Sequence, residues 1–510
     1  MYFTNRPYII IKINYNADDF LFAKNMKRTH IKNLHTQLGN TVTINCWIDV
    51  ARDQGKMAFF DFRDASGKVQ GVVFGKPEVL DIAKTLRPEW VVAITGVVND
   101  RTDKNAKEFK VQFEETGKRD FSVKDVEIEV TEIKVLNKAE TPAFEIIDST
   151  QHINEEVRLK NRYLDLRTER MHNNMVMRHK VAKLCRDYLD GQDFLEIETP
   201  ILTKSTPEGA RDYMVPSRVS PHHFYALPQS PQQYKQLLMT SGMERYFQFA
   251  RCMRDEDLRG DRQPEFTQLD LEMSFVSEDD VMQMNEELLI KIVTELYPEK
   301  EIQQIPFPRI PYAEAIEKYG NDRPDIRKDK EDENLLAFCW VVDFPFFEKT
   351  ATSDDPQATG EWTFTHNPFS LSKPEHIPNL KNKENIGEIM AAQYDICLNG
   401  YEIGGGSIRA HDPETLKSIL SILGHSDEKI EENFGHMLKA LSSGTPPHGG
   451  IAWGFDRLMM ILQNEKTIRE VIAFPKNGEG RDPMMDSPSL VTNQQLKELS
   501  IVLKEIKKNQ

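Results

Sequence analysis

The chain has 510 residues, 39% hydrophobic and 29% charged, which is room for two or three domains of ordinary globular composition. A net charge of −16 argues against a protein that coats nucleic acid non-specifically, although local basic faces still decide individual contacts. Cys46, Cys185, Cys252, Cys339 and Cys397 are scattered with no Cys-x-x-Cys pair, so neither a disulfide framework nor a zinc site is indicated, and a reducing cytoplasm is expected.

Residues 1–25 contain one apolar run, 8–13, too short to span a bilayer. No small-residue cleavage site follows it, and the segment is expected to be a disordered extension. From Met26 the pattern becomes organised. Val42, Ile44, Cys46, Ile48 and Val50 alternate with polar residues, which predicts a strand. Further strands are predicted at 58–62, 69–74, 90–98 and 128–135, with a helix at 78–86. Five short strands with a helix before the fourth suit an OB-fold barrel over 26–135. Such barrels stack single-stranded bases on exposed aromatics. Arg52, Phe59 and Gln70 lie where that reader would sit, although a phenylalanine in a strand is more often core.

Residues 136–172 read as a hinge, ending in the charge run NRYLDLRTER (161–170), of a kind usually solvated and here expected between domains. A helix follows, with Asn173 or Asn174 as cap and Met177, Val181, Leu184 and Tyr188 on one face. It ends at Gly191, and a strand over 194–200 is stopped by Pro200. Next come TPEGARDYMVPSR (206–218) and FYALPQSPQQYKQLLM (224–239). Pro231 suits a helix start that puts Gln232, Lys235 and Gln236 on one side. A lysine in a first turn opposes the helix dipole, so either a ligand or a surface ion pair is expected beside it.

In FARCMRDEDLRGDRQPEFTQLDLE (249–272), two strands flank a turn with Arg251, Arg254, Arg259 and Arg262 among Asp255, Glu256, Asp257 and Asp261. Arginine forks suit phosphate and carboxylate, while a solvated, ion-paired hairpin is the plainer alternative. Ser277 and Asp280 read as a capping box for a helix carrying Val281, Met284, Leu288, Ile292 and Leu296 on one face. A strand is predicted at 338–344. Asp395 and Glu402 flank the turn signal Leu398-Asn399-Gly400, and paired carboxylates suit Mg²⁺. Gly404, Gly405 and Gly406 precede no Lys-Ser/Thr, so close backbone approach explains them better than a phosphate loop. In TPPHGGIAWGFDR (445–457) a glycine-ended strand runs into a helix near Phe455, which puts Arg457 in its first turn, unfavourable unless an anion faces it. A buried strand at 472–476 and a terminal helix with Leu496, Leu499, Val502, Leu503 and Ile506 complete the chain.

Arg254-Asp255-Glu256, then Arg262 and Phe266, resembles motif 2 of the class II aminoacyl-tRNA synthetases. The helix and strand ending at Pro200 resemble motif 1, their dimer interface, and 445–457 resembles motif 3. The strings 206–218 and 224–239 narrow the resemblance to the bacterial-type aspartyl-tRNA synthetases, from Met26 to the C-terminus. It implies an α+β chain: an OB-fold anticodon domain, the hinge, and over 173–510 a class II catalytic domain with an antiparallel sheet flanked by helices. The implied activity is ligation of L-aspartate to tRNA(Asp) through aspartyl-adenylate, with ATP as substrate and Mg²⁺ as cofactor. Whether tRNA(Asn) is also charged stays open. The implied protein is a cytoplasmic homodimer with no membrane segment.

Residue by residue, the resemblance gives catalysis to Arg254 and Arg457. It gives aspartate binding to Glu208, Ser230, Gln232, Lys235, Arg254, Asp270, His366 and Arg409. Arg254, Asp255, Glu256, Gln263, Phe266, Glu402, Gly454, Phe455, Asp456 and Arg457 would hold ATP, Asp395 and Glu402 would hold Mg²⁺, and Arg52, Phe59 and Gln70 would read the anticodon. Lys235 and Arg409 would bracket the substrate side-chain carboxylate, where asparagine would leave two buried cations unpaired and lysine would be repelled. The sequence departs from the family in two places. The inserted α/β domain between motifs 2 and 3 is absent, and Asn367 stands where many members have a second histidine. An asparagine or lysine synthetase, a non-catalytic relative and an ATP-dependent amide synthetase are the rival readings. Arg254, Glu402 and Arg457, all present, weigh against the non-catalytic relative.

Overall fold

The structure is a computed structural model that describes residues 28–101, 125–205, 208–350 and 360–504. The expected extension, 1–25, lies outside them. The chain forms two compact units, Met1–Ile146 and Ile147–Gln510.

In the first unit the strands Thr41–Asp53, Met57–Asp64, Gly67–Phe74, Val91–Asp100 and Val126–Asn137 close a barrel in the order first, second, third, fifth, fourth. Closure follows from strict alternation. Val42, Ile44, Cys46 and Ile48 point inward and meet Phe60, Phe62, Val73, Ile94 and Ile128. The helix Pro77–Thr85, with proline in its first turn, sits between the third and fourth strands, as the pattern predicts. The register pairs Arg52 with Phe59, Phe59 with Val72 and Asp61 with Gln70. Side chains paired across strands share a face. Arg52, Phe59 and Gln70 therefore emerge together on the outer surface, opposite to buried Ala58 and Phe60. Phe59 is half-buried and not part of the barrel core.

The second unit is built on an eight-stranded sheet in the order Arg309–Pro311, Phe338–Val342, Gln393–Leu398, Tyr401–Ile408, His448–Gly454, Glu265–Ser274, Arg245–Met253, Leu195–Glu196. The six central strands are antiparallel, as expected, but both outermost pairings are parallel, so the sheet is mixed. The helices Glu169–Asp190 and Glu278–Leu296 lay Val181, Leu184, Leu288 and Ile292 against Leu269, Leu271, Trp340 and Trp453 of the sheet. The capping box at Ser277 forms as predicted, Asp280 Oδ2 accepting from the Ser277 backbone N–H at 2.8 Å.

Several expectations are corrected. The hinge is shorter than 136–172, because residues from Ile147 on belong to the second unit. Arg158 and Arg162, inside the supposed hinge, are 5% and 1% exposed, because Glu470 from the far end of the chain neutralises the first and Asp165, three residues on, neutralises the second. The following helix begins at Glu169, capped by Thr168 and not by Asn173 or Asn174; Asn174 is buried and donates to Glu465. Residues 472–476 form no strand, since the carbonyls of Ile472 and Ala473 accept from the Arg162 guanidinium and not from a neighbouring strand. The strand at 194–200 shrinks to Leu195–Glu196, and the terminal helix to Asn493–Glu498, which leaves Val502 93% exposed. Among the described residues no helix is long and apolar enough to cross a membrane.

Candidate active site

Alternation along Glu265–Ser274 presents Gln268, Asp270 and Glu272 on one face of the sheet centre. Their neighbours across the strand are small for a reason. A Cβ on Gly450 would lie 2.2 Å from the Glu272 carboxylate, and one on Gly405 would lie 2.9 Å from Asp395 Oδ1. The helix Gln232–Thr240 brings Lys235 over this face, with its Nζ 3.1 Å from both Asp270 and Glu272. Arg409 Nε donates to Glu272 at 2.9 Å, and its Nη1 donates to Ser407 at 2.9 Å. Two cations and two carboxylates thus form one buried cluster. Burial pushes Asp270 up to about 6, although Lys235 pulls it the other way. Burial acts upward on Glu272 too, but Arg409 and Lys235 outweigh it and hold it near about 2. Neither cation is unpaired, which corrects the idea that only a substrate carboxylate could neutralise them.

Beside the cluster is a cavity of about 190 Å³, lined by all eight residues expected to bind aspartate: Glu208, Ser230, Gln232, Lys235, Arg254, Asp270, His366 and Arg409. Ser230 Oγ donates to Glu208 at 2.7 Å. A second cavity of about 190 Å³ adjoins it, and Arg254 and Glu402 line both. Glu256, Arg262, Gln263, Phe266, Gly454 and Arg457 line the second. The Arg254 guanidinium lies 5.2 Å from the Phe266 ring centroid, and its buried Nε has no hydrogen-bond partner among the described residues. Arg457 Nη2 lies 3.1 Å from Asp261, its Nη1 donates to the Glu402 carbonyl, and its Nε is likewise buried without a partner. Guanidinium groups left with unused donors at a cavity wall are suited to an anion.

Four of the expected nucleotide residues have their groups engaged elsewhere. Asp255 lines neither cavity, and its backbone N–H donates to the Arg211 carbonyl at 3.0 Å. Phe455 is core, 1% exposed, edge-on to Phe249 with the Arg178 guanidinium 4.9 Å away. Asp456 lines the second cavity, but its carboxylate is taken by Arg178 at 2.6 Å and by the Thr267 N–H at 2.8 Å. Gln263 also spends both ends of its amide on the Lys476 backbone, at 2.8 and 3.1 Å. Glu272 was missed by the sequence reading, although the alternation that marks Asp270 would have found it.

Asn399 and Gly400, both at positive φ, close the two-residue turn that joins the strands of Asp395 and Glu402. With His366, these carboxylates form a cluster whose candidate ligand atoms all lie within 4.8 Å. His366 Nε2 is 2.9 Å from Asp395 Oδ2. Burial works against the imidazolium, but Asp395 prevails and raises His366 to about 9. Asp395 and Glu402 offer carboxylate oxygens here, Glu402 lining both cavities and the buried Asp395 lining neither. That donor set fits a hard divalent cation.

Residues 154–478 match the family described as tRNA synthetases class II (D, K and N), and residues 42–136 match an OB-fold nucleic acid binding domain. The chain belongs to the class II aminoacyl-tRNA synthetases. Within them it is 37% identical to an aspartate–tRNA(Asp/Asn) ligase of Corynebacterium aurimucosum, over 94% of this chain and 97% of that one. It is equally 37% identical to an aspartate–tRNA(Asp) ligase of Deinococcus radiodurans, over 93% and 99%. The first alignment runs over 606 positions, more than the 510 residues of this synthetase, so that relative carries residues with no counterpart here. Among solved structures, the aspartyl-tRNA synthetase of Entamoeba histolytica superposes with a TM-score of 0.66 at 22% identity, over 89% of this chain and 92% of that one. The asparaginyl-tRNA synthetase of Pyrococcus horikoshii with asparaginyl-adenylate gives 0.67 at 22% identity, over 86% and 95%. These two share the fold.

Proposed function

We propose that this synthetase activates L-aspartate with ATP and transfers it to the 3′ end of tRNA(Asp). The observation that carries the reading is the junction at Arg254 and Glu402, where one cavity is lined by Lys235, Asp270 and Arg409 and the other by Phe266 and Arg457. The substrate ammonium would turn to Asp270, Glu208 and Ser230. That frees Lys235 to exchange Asp270 for the substrate β-carboxylate, an exchange an amide cannot make on equal terms. Adenine would stack on Phe266, with the α-phosphate at Arg254 and the γ-phosphate at Arg457. Attack of the α-carboxylate on the α-phosphate needs no side-chain nucleophile, so the residues act by alignment and charge neutralisation. Asp395 and Glu402 would hold Mg²⁺, which supplies further neutralisation of phosphate charge when bound. On the barrel, Arg52, Phe59 and Gln70 would receive the anticodon, and the protein would work in the cytoplasm as a homodimer through the helix and strand over 177–200. Relatives are named for tRNA(Asp) alone or for both tRNA(Asp) and tRNA(Asn), so the second tRNA belongs in the test. ATP–pyrophosphate exchange should depend on aspartate and not on asparagine or lysine, followed by charging of purified tRNA(Asp) and tRNA(Asn) side by side. Exchange driven by asparagine or lysine would sink the reading.

A further inference from the structure

The arginines of the segment that opens the second unit have no role in the chemistry above, yet Arg158 and Arg162 are among its most buried charges and Arg170 is partly buried beside them. Arg158 places both Nη groups on Glu470, at 2.8 and 3.0 Å. Arg170 grips Glu465 with Nη1, at 2.6 and 2.7 Å, and Glu470 with Nη2, at 2.9 Å. Arg162 donates to the carbonyls of Arg469, Ile472 and Ala473, at 2.6, 2.9 and 2.9 Å. All of these contacts fall on one short stretch some three hundred residues away, around the 3₁₀ turn Ile468–Glu470. A buried ion pair is weak evidence for stability, because desolvation consumes most of the attraction. Asp165 pairs locally with Arg158 and Arg162, and the remaining donors of the three arginines, on two glutamates and three carbonyls, hold a distant backbone in place more than they strengthen the fold.

What they hold is a wall of the nucleotide cavity. Ile468 is 2% exposed and lines that cavity, and its backbone N–H donates to the Gly260 carbonyl at 3.0 Å, inside the arginine-rich loop that follows Arg254. Just beyond the turn, Lys476 takes the Gln263 amide at its backbone N–H and C=O and donates through Nζ to Glu265 at 2.8 Å. The loop over 254–264 is thus fastened at Gly260 and Gln263 to a stretch that the three arginines fix.

We infer that Arg158, Arg162 and Arg170, through Glu465 and Glu470, are positioning residues for the nucleotide: they set the turn Ile468–Glu470 and, through it, the loop that carries Glu256 and Arg262. Neither these five residues nor the fastened positions Gly260 and Gln263 line the aspartate cavity, so their loss acts mainly on the nucleotide.

The inference rests on the aspartate-activating reading, and the experiment separates the two. Full-length wild type, Glu470→Gln and Arg170→Lys are compared in aspartate-dependent ATP–pyrophosphate exchange, with KM measured for each substrate and folding followed by circular dichroism. Glu470→Gln should raise KM for ATP on the order of tenfold while KM for aspartate stays within about twofold. Arg170→Lys keeps the charge but loses the fork, and should raise KM for ATP by a smaller factor. It carries the test alone if the Glu470 variant does not fold. A lowered melting temperature with both KM values unchanged, or an equal rise in both, overturns the inference. Absence of aspartate-dependent exchange in the wild type overturns the proposed function instead.

Discussion

Asp270 is the side chain in the aspartate cavity whose charge is most open to change near neutral pH. Burial raises it to about 6, Lys235 opposes that rise, and Glu272, held near about 2, stays ionised beside it. A raised carboxylate is charged above its pKa and neutral below. If Asp270 receives the substrate ammonium, the free protein loses that partner as pH falls through about 6. We therefore expect kcat/KM for aspartate in ATP–pyrophosphate exchange to drop on the acid side with a midpoint near 6. Lys235→Met removes the strongest downward pull on Asp270 and should move the midpoint up, besides collapsing aspartate activation through loss of the β-carboxylate partner. ATP binding at Arg254 and Arg457 should survive. A flat profile between pH 5 and 8, or a Met variant as active as wild type, would remove Asp270 and Lys235 from the pocket assignment.

The barrel strand Met57–Asp64 shows at the scale of an element what local pattern can and cannot reveal. Its alternation was legible, and register then put Phe59 beside Arg52, which is ion-paired with Asp61, on the outer face. Phe59→Ala should weaken tRNA binding by roughly 1–3 kcal/mol, the usual worth of one base stacked on an aromatic ring. Filter binding measures this, while aspartate-dependent exchange should stay near wild type; equal losses in both would mean that Phe59 acts through the fold. Strands, the helix in the barrel and the Ser277 box were legible because period-two alternation and capping chemistry are written within a few residues. Arg158, Arg162 and Asp456 were not, because a partner distant in sequence helps to fix each: Glu470 for the first, the carbonyls at 469–473, besides the nearby Asp165, for the second, Arg178 for the third. Phe455 failed for a related reason. A motif places a residue beside a binding residue, but the helix turn between Phe455 and Arg457 sends one into the core and the other to the cavity.

At the scale of the whole molecule, the sheet has one end that its own chain leaves thin. Leu195–Glu196, only two residues long, is the outermost strand beside Arg245–Met253. Leu195, Ile201 and Leu202, in and after this strand, are 50%, 40% and 51% exposed. Sheet edges are ordinarily covered, and a two-fold contact is the commonest way for a chain to cover its own. The strand follows directly on the helix Glu169–Asp190, the stretch that resembles motif 1. We expect sedimentation of the full chain at micromolar concentration to give a dimer. Leu202→Asp, which places a charge where apolar surface should meet its symmetry mate, should shift the population to monomer and lower exchange activity with it. Leu202 is half exposed, so the substitution leaves each unit's core untouched and a change in mass can be read as loss of association. A wild-type chain that sediments as a fully active monomer would overturn the dimer and leave this edge without its expected partner.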